Sequence, residues 1–294
     1  MKPDLVDAIE RRTPAGGVGL AALWTLYVLT FRQHLHGRRW MVMAVLFLLP
    51  AGLAILIRAT ASDAPSIALE FTLAFMFIPQ ALLPLVGLVY ASGIIQDEQE
   101  DQTLTYLLIR PLPKWAIYGV KLLATLTTTV LLTTVFTVLT YAAIYVGTDT
   151  TGVNVPLRCL KAVWIHDLAV ICYCCLFGVM SLFTRWTLVV GILYTAIFEG
   201  LFANLPFGIR LITVIYYTRL LAYRSMEFVA VERTREDIAA VVWQYDVRAD
   251  PTLADHPSVQ TCLIALAAAS LVFAVVAAIV CSRREFHVKT PEGN

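Results

Sequence analysis

Charged residues are scarce in this sequence of 294 residues. They make up 15% of it, whereas about a quarter of an ordinary soluble domain is charged. Hydrophobic residues reach 59%, and the mean hydropathy is +0.74. A chain of this composition cannot cover a water-exposed surface with polar groups, so the sequence predicts an integral membrane protein.

The sequence also lacks a basic patch and a disulfide pattern. Its formal net charge is only +1, which argues against a nucleic-acid partner because phosphate binding needs clustered positive charge. Its cysteines lie mostly inside apolar segments, where a thiol behaves as a small hydrophobic group. They are Cys159, Cys172, Cys174, Cys175, Cys262 and Cys281.

No catalytic motif is present: the sequence has no HExxH, no GxSxG and no Walker A phosphate loop. We therefore expect the chain not to be an enzyme and to hold no cofactor or metal itself. A soft-metal site at Cys172, Cys174 and Cys175 is a minor alternative, since only Cys172 and Cys175 share a helix face. A membrane enzyme using His166 and Asp167 is another, although no third catalytic group accompanies them.

Six apolar stretches have the length to cross a bilayer core, which takes about 20 residues. Pro50, Pro79 and Pro84 fall within the first two stretches and predict kinks there. The predicted class is an all-α integral membrane protein, with an N-terminal part over 1–39, a six-span domain over 40–281 and a tail over 282–294. The stretches run approximately over residues 40–57, 67–90, 116–146, 163–183, 187–203 and 259–281.

Residues 19–36 carry apolar side chains at helical spacing, which gives one apolar stripe. Arg38 and Arg39 follow directly. We interpret this stretch as an amphipathic elbow helix lying in the membrane interface. A full extra span is the less favoured alternative, because the apolar run before Arg32 is too short.

Basic residues near the span ends predict the orientation. They cluster before the first span and after the last, so we expect both termini to be cytoplasmic in a multi-pass protein of the cell membrane, inner or plasma. The loops over 58–66, 147–162 and 204–258 would then face outward. The clusters are Arg11, Arg12, Arg32, Arg38 and Arg39 at the N-terminal side, and Arg283, Arg284 and Lys289 at the C-terminal side.

The loop over 204–258 has two parts. The first suits a helix that dips into or rests on the outer interface. The second contains Ile238, Val241 and Val242, which predict a small outer helix for an extracytoplasmic partner to touch. Plain surface is an equally weighted interpretation of these residues.

Several polar side chains fall inside or near the spans, where they are costly. For the ionisable ones, interfacial anchoring or pairing between helices is our first interpretation and substrate contact the second. The four ionisable ones lie towards the outer span ends, where we expect water to reach them: Glu70, His166, Asp167 and Glu199. A strip of hydroxyls follows the third span: Thr125, Thr129, Thr133, Thr137 and Thr140. For this strip, dimer or bundle packing is our first interpretation and the lining of a transport path the second.

A polar island over 92–121, between the second and third spans, is the most informative stretch. Its acids Asp97, Glu98, Glu100 and Asp101 precede a small apolar helix, and Pro111 and Pro113 end that helix. Thr103 suits a cap at the helix start or a local hydrogen bond, the acids favour the N-terminal end of the helix and Arg110 suits its C-terminal end. This order predicts a helix across a membrane face, and a solvated loop is the alternative.

The island resembles the cytoplasmic coupling segment of ABC-2 type ABC-transporter permeases. That segment has a Ser-Gly start, then Glu-x-x-x-Gly-Thr-Leu, a Leu pair, a Pro, a basic residue and a Lys. Gln102 replaces the usual Gly, and Lys114 the usual Arg. Glu199 is similar to an acidic residue that many of these permeases carry near the outer end of the fifth span. The matching positions are Ser92, Gly93, Glu98, Thr103, Leu104, Leu107, Leu108, Pro111, Lys114 and Lys121.

The resemblance implies a permease subunit that works as a homodimer with two copies of a separate ATP-binding cassette subunit, which binds ATP and Mg. It also implies export, since most of these permeases are exporters, and leaves the substrate open. The alternative is a non-transporting subunit that passes ATPase motion to an extracytoplasmic partner. Docking of the ATPase is expected on the segment 97–114, at Asp97, Glu98, Glu100, Thr103, Leu104, Leu107 and Arg110.

Overall fold

The computed structural model describes residues 19–61, 64–100, 112–148, 153–205, 208–228, 238–243 and 257–284, with the backbone alone for residues 98–100 and 240. Every regular element in these ranges is a helix. This confirms the predicted all-α class.

Six of the described helices are long and apolar enough to cross a membrane, as predicted. We call the end of the bundle at which residues 97–114 join the second and third spans the inner end, and the opposite end the outer end. The spans are the first (Arg38–Thr60), second (Ser66–Asp97), third (Lys114–Tyr145), fourth (Val155–Phe183), fifth (Thr187–Asn204) and sixth (Val259–Arg283).

An N-terminal helix, Leu20–His36, precedes the first span and ends at Gly37. It lies against the third span, where the hydroxyl of Tyr27 donates to Thr127 Oγ1 at 3.1 Å. Its other side leaves Leu20 and Trp24 exposed. A helix with one face packed on the protein and an exposed apolar face suits a membrane surface. Its placement in the interface stays a prediction.

The second span is the most irregular. It begins as an α-helix at Ser66–Leu69, widens to a π-helix over Glu70–Leu82 and returns to an α-helix over Leu83–Glu100. Pro79 lies in the π-helical part, where its missing N–H removes one backbone hydrogen bond. This widening puts Glu70 into a wide turn, a geometry that is frequent at functional sites.

The second span continues as a helix to Glu100. Asp97, Glu98 and Glu100 therefore belong to the helix of the second span, and the small apolar helix predicted after them lies outside the described residues. No glycine or proline interrupts residues 94–110, so nothing in the sequence stops the helix at the end of the apolar run. A cation, Arg39, lies beside Asp97, as described below.

The fourth span begins at Val155, before the predicted start at residue 163. Asn154 caps it, since its Oδ1 accepts the N–H of Leu157 at 3.3 Å, and Pro156 occupies the first turn. The predicted loop over 147–162 is therefore too long. Capping residues set this boundary, and they lie outside the apolar run on which the prediction relied.

The outer part of the chain forms a short turn, Gly208–Ile212, an outer helix, Val214–Ser225, and a short helix, Ile238–Trp243. The outer helix packs against the fourth and sixth spans. It does not rest on a surface, as one of our two interpretations had it, because most of its side chains are buried, including Arg219.

The second span packs against the fourth, third and fifth spans. Gly87 allows a close approach to the fourth span, since a Cβ placed there would lie 2.8 Å from the Cβ of Tyr173. Small residues serve this purpose in membrane helix pairs. Motion of the second span is therefore shared with its neighbours.

Candidate functional site

At the inner end, two consecutive residues of the second span bind other elements. Arg39, at the start of the first span, forms a bidentate ion pair with Asp97, and both N–O distances are 2.7 Å. Gln96 Nε2 donates to the carbonyl of Thr184 at 2.6 Å and to Thr187 Oγ1 at 2.7 Å, in the turn between the fourth and fifth spans. The inner end of the second span is therefore tied to the first and fifth spans.

The start of the third span is tied to the sixth. Lys114 Nζ donates to the carbonyl of Arg284 at 3.0 Å, at the residue that ends the sixth span. A cation at this position satisfies an orphan carbonyl and suits the negative end of the helix dipole. The two ends of the predicted coupling segment, Asp97 and Lys114, thus each hold a different span.

The rest of the coupling segment lies largely outside the described residues. Glu98 and Glu100 are placed on the helix by their backbone. Their roles in ATPase docking, and those of the remaining predicted residues, stay predictions. The residues outside the described part are Asp101, Thr103, Leu104, Leu107 and Arg110.

His34 of the N-terminal helix faces the same inner region. Its ring lies edge-on to Tyr90, with centroids 5.2 Å apart, and its Nδ1 lies 3.4 Å from Thr128 Oγ1. Burial lowers the pKa of His34 to about 4; Asp97 opposes this shift, and Lys121 and Arg39 add to it. The imidazole is therefore neutral at pH 7.

At the outer end, Glu70 is the centre of a buried network. The hydroxyls of Tyr141 and Tyr145 each donate to one of its carboxylate oxygens at 2.6 Å. Arg158 Nε, on the capped extension of the fourth span, lies 2.9 Å from Oε2. Arg158 Nη1 also donates to the carbonyl of Glu227 at 3.3 Å. The network therefore joins the second, third and fourth spans to Glu227, which follows the outer helix.

Glu199, in a π-helical turn of the fifth span (Thr195–Leu201), binds the start of the outer helix. Its two carboxylate oxygens accept the N–H groups of Val214 at 3.1 Å and Ile215 at 2.9 Å. A carboxylate at a helix N-terminus satisfies orphan donors and suits the helix dipole. Glu199 therefore connects the fifth span to the outer helix.

The expectation that water reaches the ionisable residues of the spans is wrong for three of them. Glu70, His166 and Glu199 are buried, because neighbouring helices supply their polar partners. His166 Nδ1 lies 3.1 Å from Thr137 Oγ1, and the partly buried Asp167 accepts from Thr134 at 3.0 Å.

The threonine strip of the third span is buried within the chain itself, largely against the fourth span. Thr129 Oγ1 lies 3.5 Å from Cys174 Sγ. In this conformation Thr125, Thr133 and Thr137 are also fully buried, so the strip contributes to packing inside one chain. Within the described ranges, no group of three or more His, Cys, Asp or Glu side chains could hold a metal ion.

Sequence reasoning missed the cations that pair with these acids. Arg39 was counted only as an orientation signal, and Arg158 stood in a predicted loop. An arginine or lysine next to a span is the signal that could have prompted a search for an acid on a neighbouring span.

Comparison with known proteins agrees with this architecture. The model of the family described as ABC-2 family transporter protein matches residues 35–215, which is more than half of the chain and covers the first five spans. No curated protein matches the chain significantly. The chain belongs to the ABC-2 transporter family and is a multi-pass membrane permease of an ABC transporter, a family whose permeases work with an ATP-binding cassette partner.

Proposed function

We propose that this chain couples ATP hydrolysis by a separate ATP-binding cassette subunit to export of a substrate across the cell membrane. Two copies of the permease form a homodimer with two copies of the ATPase, which holds ATP and Mg. The inner end of the bundle and both termini face the cytoplasm, in keeping with the basic residues around them.

This proposal rests on one observation: both ends of the coupling segment are attached to other spans. Asp97 contacts Arg39 of the first span, Gln96 contacts the turn before the fifth span, and Lys114 contacts the end of the sixth. A push on the segment between them is transmitted through the second and third spans and through these contacts. The first, second, third, fifth and sixth spans then move together when the ATPase closes.

Co-purification tests the docking site. The C-terminus is tagged, membranes are solubilised gently, and mass spectrometry identifies the proteins retained with wild type and with Glu98→Arg plus Leu104→Asp. We expect an ATP-binding cassette protein with wild type and its loss with the double variant, since charge reversal and a buried carboxylate both oppose docking.

Glu227→Arg plus Val241→Asp is the matched control, because both residues are exposed and lie in the outer part of the chain. It makes the same chemical changes away from the segment and is expected to retain the ATPase. If no ATPase co-purifies with wild type, or if both double variants lose it equally, the docking proposal is wrong.

A non-transporting subunit that acts on an extracytoplasmic partner is the second candidate function. The links from Glu199 to the outer helix and from Arg158 to the carbonyl of Glu227 favour it, since they pass motion of the spans to the outer surface. Val241 of the short helix is 67% exposed there and offers an apolar contact. Co-purification of a large extracytoplasmic partner that Val241→Asp abolishes, together with ATP hydrolysis that no transported compound stimulates, would favour this function over export.

A further inference from the structure

The fifth span (Thr187–Asn204) packs against the rest of the described chain along one narrow line. Its other faces are largely apolar and exposed, as at Leu188, Ile192 and Leu193. Residues four apart lie on the same face of a helix, so a single stripe holds this span. A helix with few buried contacts moves more easily than one packed on several sides. The buried residues of the span are Thr187, Gly191, Glu199 and Ala203.

The polar contacts of this stripe lie near its two ends. At the inner end, Thr187 Oγ1 accepts from Gln96 Nε2 of the second span at 2.7 Å. At the outer end, Glu199 accepts two backbone N–H groups of the outer helix, at 3.1 Å and 2.9 Å. The fifth span is therefore attached to the second span at one end and to the outer helix at the other.

The contacts in the middle of the span are apolar. Gly191 faces Leu88 of the second span. Tyr194 lies edge-on to Phe177 of the fourth span, with ring centroids 6.0 Å apart. Apolar contacts have no fixed direction, so the span can tilt about this point while both ends keep their hydrogen bonds.

The outer helix (Val214–Ser225) is attached to two different spans at its two ends. Glu199 of the fifth span binds the first two N–H groups of this helix. Lys161 Nζ of the fourth span donates to the carbonyl of Ser225 at 2.8 Å. An acid at the N-terminal end and a cation at the C-terminal end both suit the helix dipole. Movement of the fifth span against the fourth therefore tilts the outer helix about its C-terminal end.

We propose that the fifth span works as a lever, which converts movement of the second span at the inner end into a tilt of the outer helix. Gln96 moves the inner end of the lever, the contacts of Gly191 and Tyr194 form its fulcrum, and Glu199 moves the start of the outer helix. The lever rests on the coupling role proposed above, since the ATPase supplies the push on the second span.

Spin-label distances in the complex of the full chain with its co-purified ATPase, with and without ATP, test the lever. A label on Leu160 of the fourth span is the common reference. The second label is placed on Ile212, just before the outer helix, or on Glu227, just after it, and all three residues are exposed. A separate pair, Trp40 and Leu188, reports movement at the inner end.

A noncanonical amino acid holds each label, so that the six native cysteines stay in place. Labelled chains are diluted with unlabelled ones, so that each distance is measured within one chain.

We expect ATP to change the Ile212–Leu160 distance in wild type and to leave the Glu227–Leu160 distance unchanged. Gln96→Leu keeps the approximate size of the side chain but removes the donor to the fifth span, so the change at Ile212 should be lost. Gln80→Leu is the control, the same substitution at another partly buried position of the second span, and should retain the change.

Glu199→Gln tests the outer end of the lever. It should retain the change between Trp40 and Leu188 and reduce the change between Ile212 and Leu160, because an amide nitrogen, which cannot accept, replaces one of the two accepting oxygens.

An Ile212–Leu160 change that is the same in Gln96→Leu and wild type, or that is lost equally in Gln80→Leu, would overturn the lever. So would a wild-type complex in which the Trp40–Leu188 distance responds to ATP and the Ile212–Leu160 distance does not, and the coupling role would then stand without it. If neither distance responds to ATP, the coupling role itself is wrong, and the lever with it.

Discussion

Glu70 shows how a single acid can be placed inside a membrane protein. Its carboxylate is fully buried and receives three partners, Arg158, Tyr141 and Tyr145. We expect Glu70→Gln to lower the free energy of unfolding by about 3–5 kcal/mol, since it leaves the cation of Arg158 without its counter-ion. Tyr141→Phe should cost about 1.5–3 kcal/mol, because it removes one hydrogen bond to a charged acceptor.

Thermal unfolding in detergent, followed by tryptophan fluorescence, measures both changes. Glu227→Gln is the control, an exposed acid at the same end of the bundle, and should leave the midpoint unchanged. A Glu70→Gln variant as stable as wild type would show that the ion pair contributes nothing to folding.

His34 predicts a pH dependence. Its pKa is lowered to about 4 in the folded chain by burial, against an ordinary value of 6.5. The unfolded chain therefore gains a proton first as the pH falls, so the stability contributed by the neutral imidazole is present above pH 6.5 and declines between pH 6.5 and about 4. Asp97 opposes this shift, while Lys121 and Arg39 add to it.

We expect His34→Gln to unfold at a midpoint that changes less between pH 7 and pH 5 than the wild-type midpoint does. His36→Gln, on the same helix but exposed, should retain the wild-type difference. Identical pH profiles for wild type and His34→Gln would contradict the assignment.

At the scale of an element, the outer helix depends on a carboxylate from another helix. Glu199 accepts the N–H groups of Val214 and Ile215, and loss of a helix N-cap costs about 0.5–2 kcal/mol. We expect Glu199→Ala to speed amide hydrogen exchange in Val214–Ser225 by roughly tenfold, the factor that corresponds to about 1.4 kcal/mol. Mass spectrometry of peptides from this helix measures the change, and peptides from the third span serve as the internal reference. Unchanged exchange in the outer helix would mean that packing alone holds it.

The elements themselves were largely predictable, and their ends were not. Long apolar runs identified all six spans because a bilayer demands that length. The boundary at Val155 depends on a cap at Asn154, and the inner end of the second span is held by an ion pair across 58 residues of chain, between Arg39 and Asp97. Hydropathy contains neither kind of information, and the π-helical turns that hold Glu70 and Glu199 also left no signal in the residue pattern.

At the scale of the whole molecule, the inner contacts predict a charge-swap experiment. Arg39 and Asp97 are 44% and 39% exposed, so their ion pair contributes less than about 1 kcal/mol to stability. We expect Arg39→Asp to fold normally yet to reduce the ATP-dependent movement of the first span against the fifth. The double variant Arg39→Asp with Asp97→Arg should restore much of this movement.

Spin labels at Trp40 and Leu188, two exposed residues near the inner end, report this movement as a distance change in the complex with the co-purified ATPase. Movement that is the same in wild type and in Arg39→Asp would mean that the ion pair does not transmit force.

The buried pair of Glu70 and Arg158 also bears on how the protein is made. The two residues are separated by 88 positions, so the ribosome completes the second and third spans before the cation exists. Until then, the tyrosines are the partners available to the carboxylate at the outer end. We expect a nascent chain that stops before residue 158 to be degraded faster than one that stops after the fourth span, in a pulse-chase measurement. The stability of the nascent chain would then increase once Arg158 has been synthesised and pairs with Glu70 of the second span.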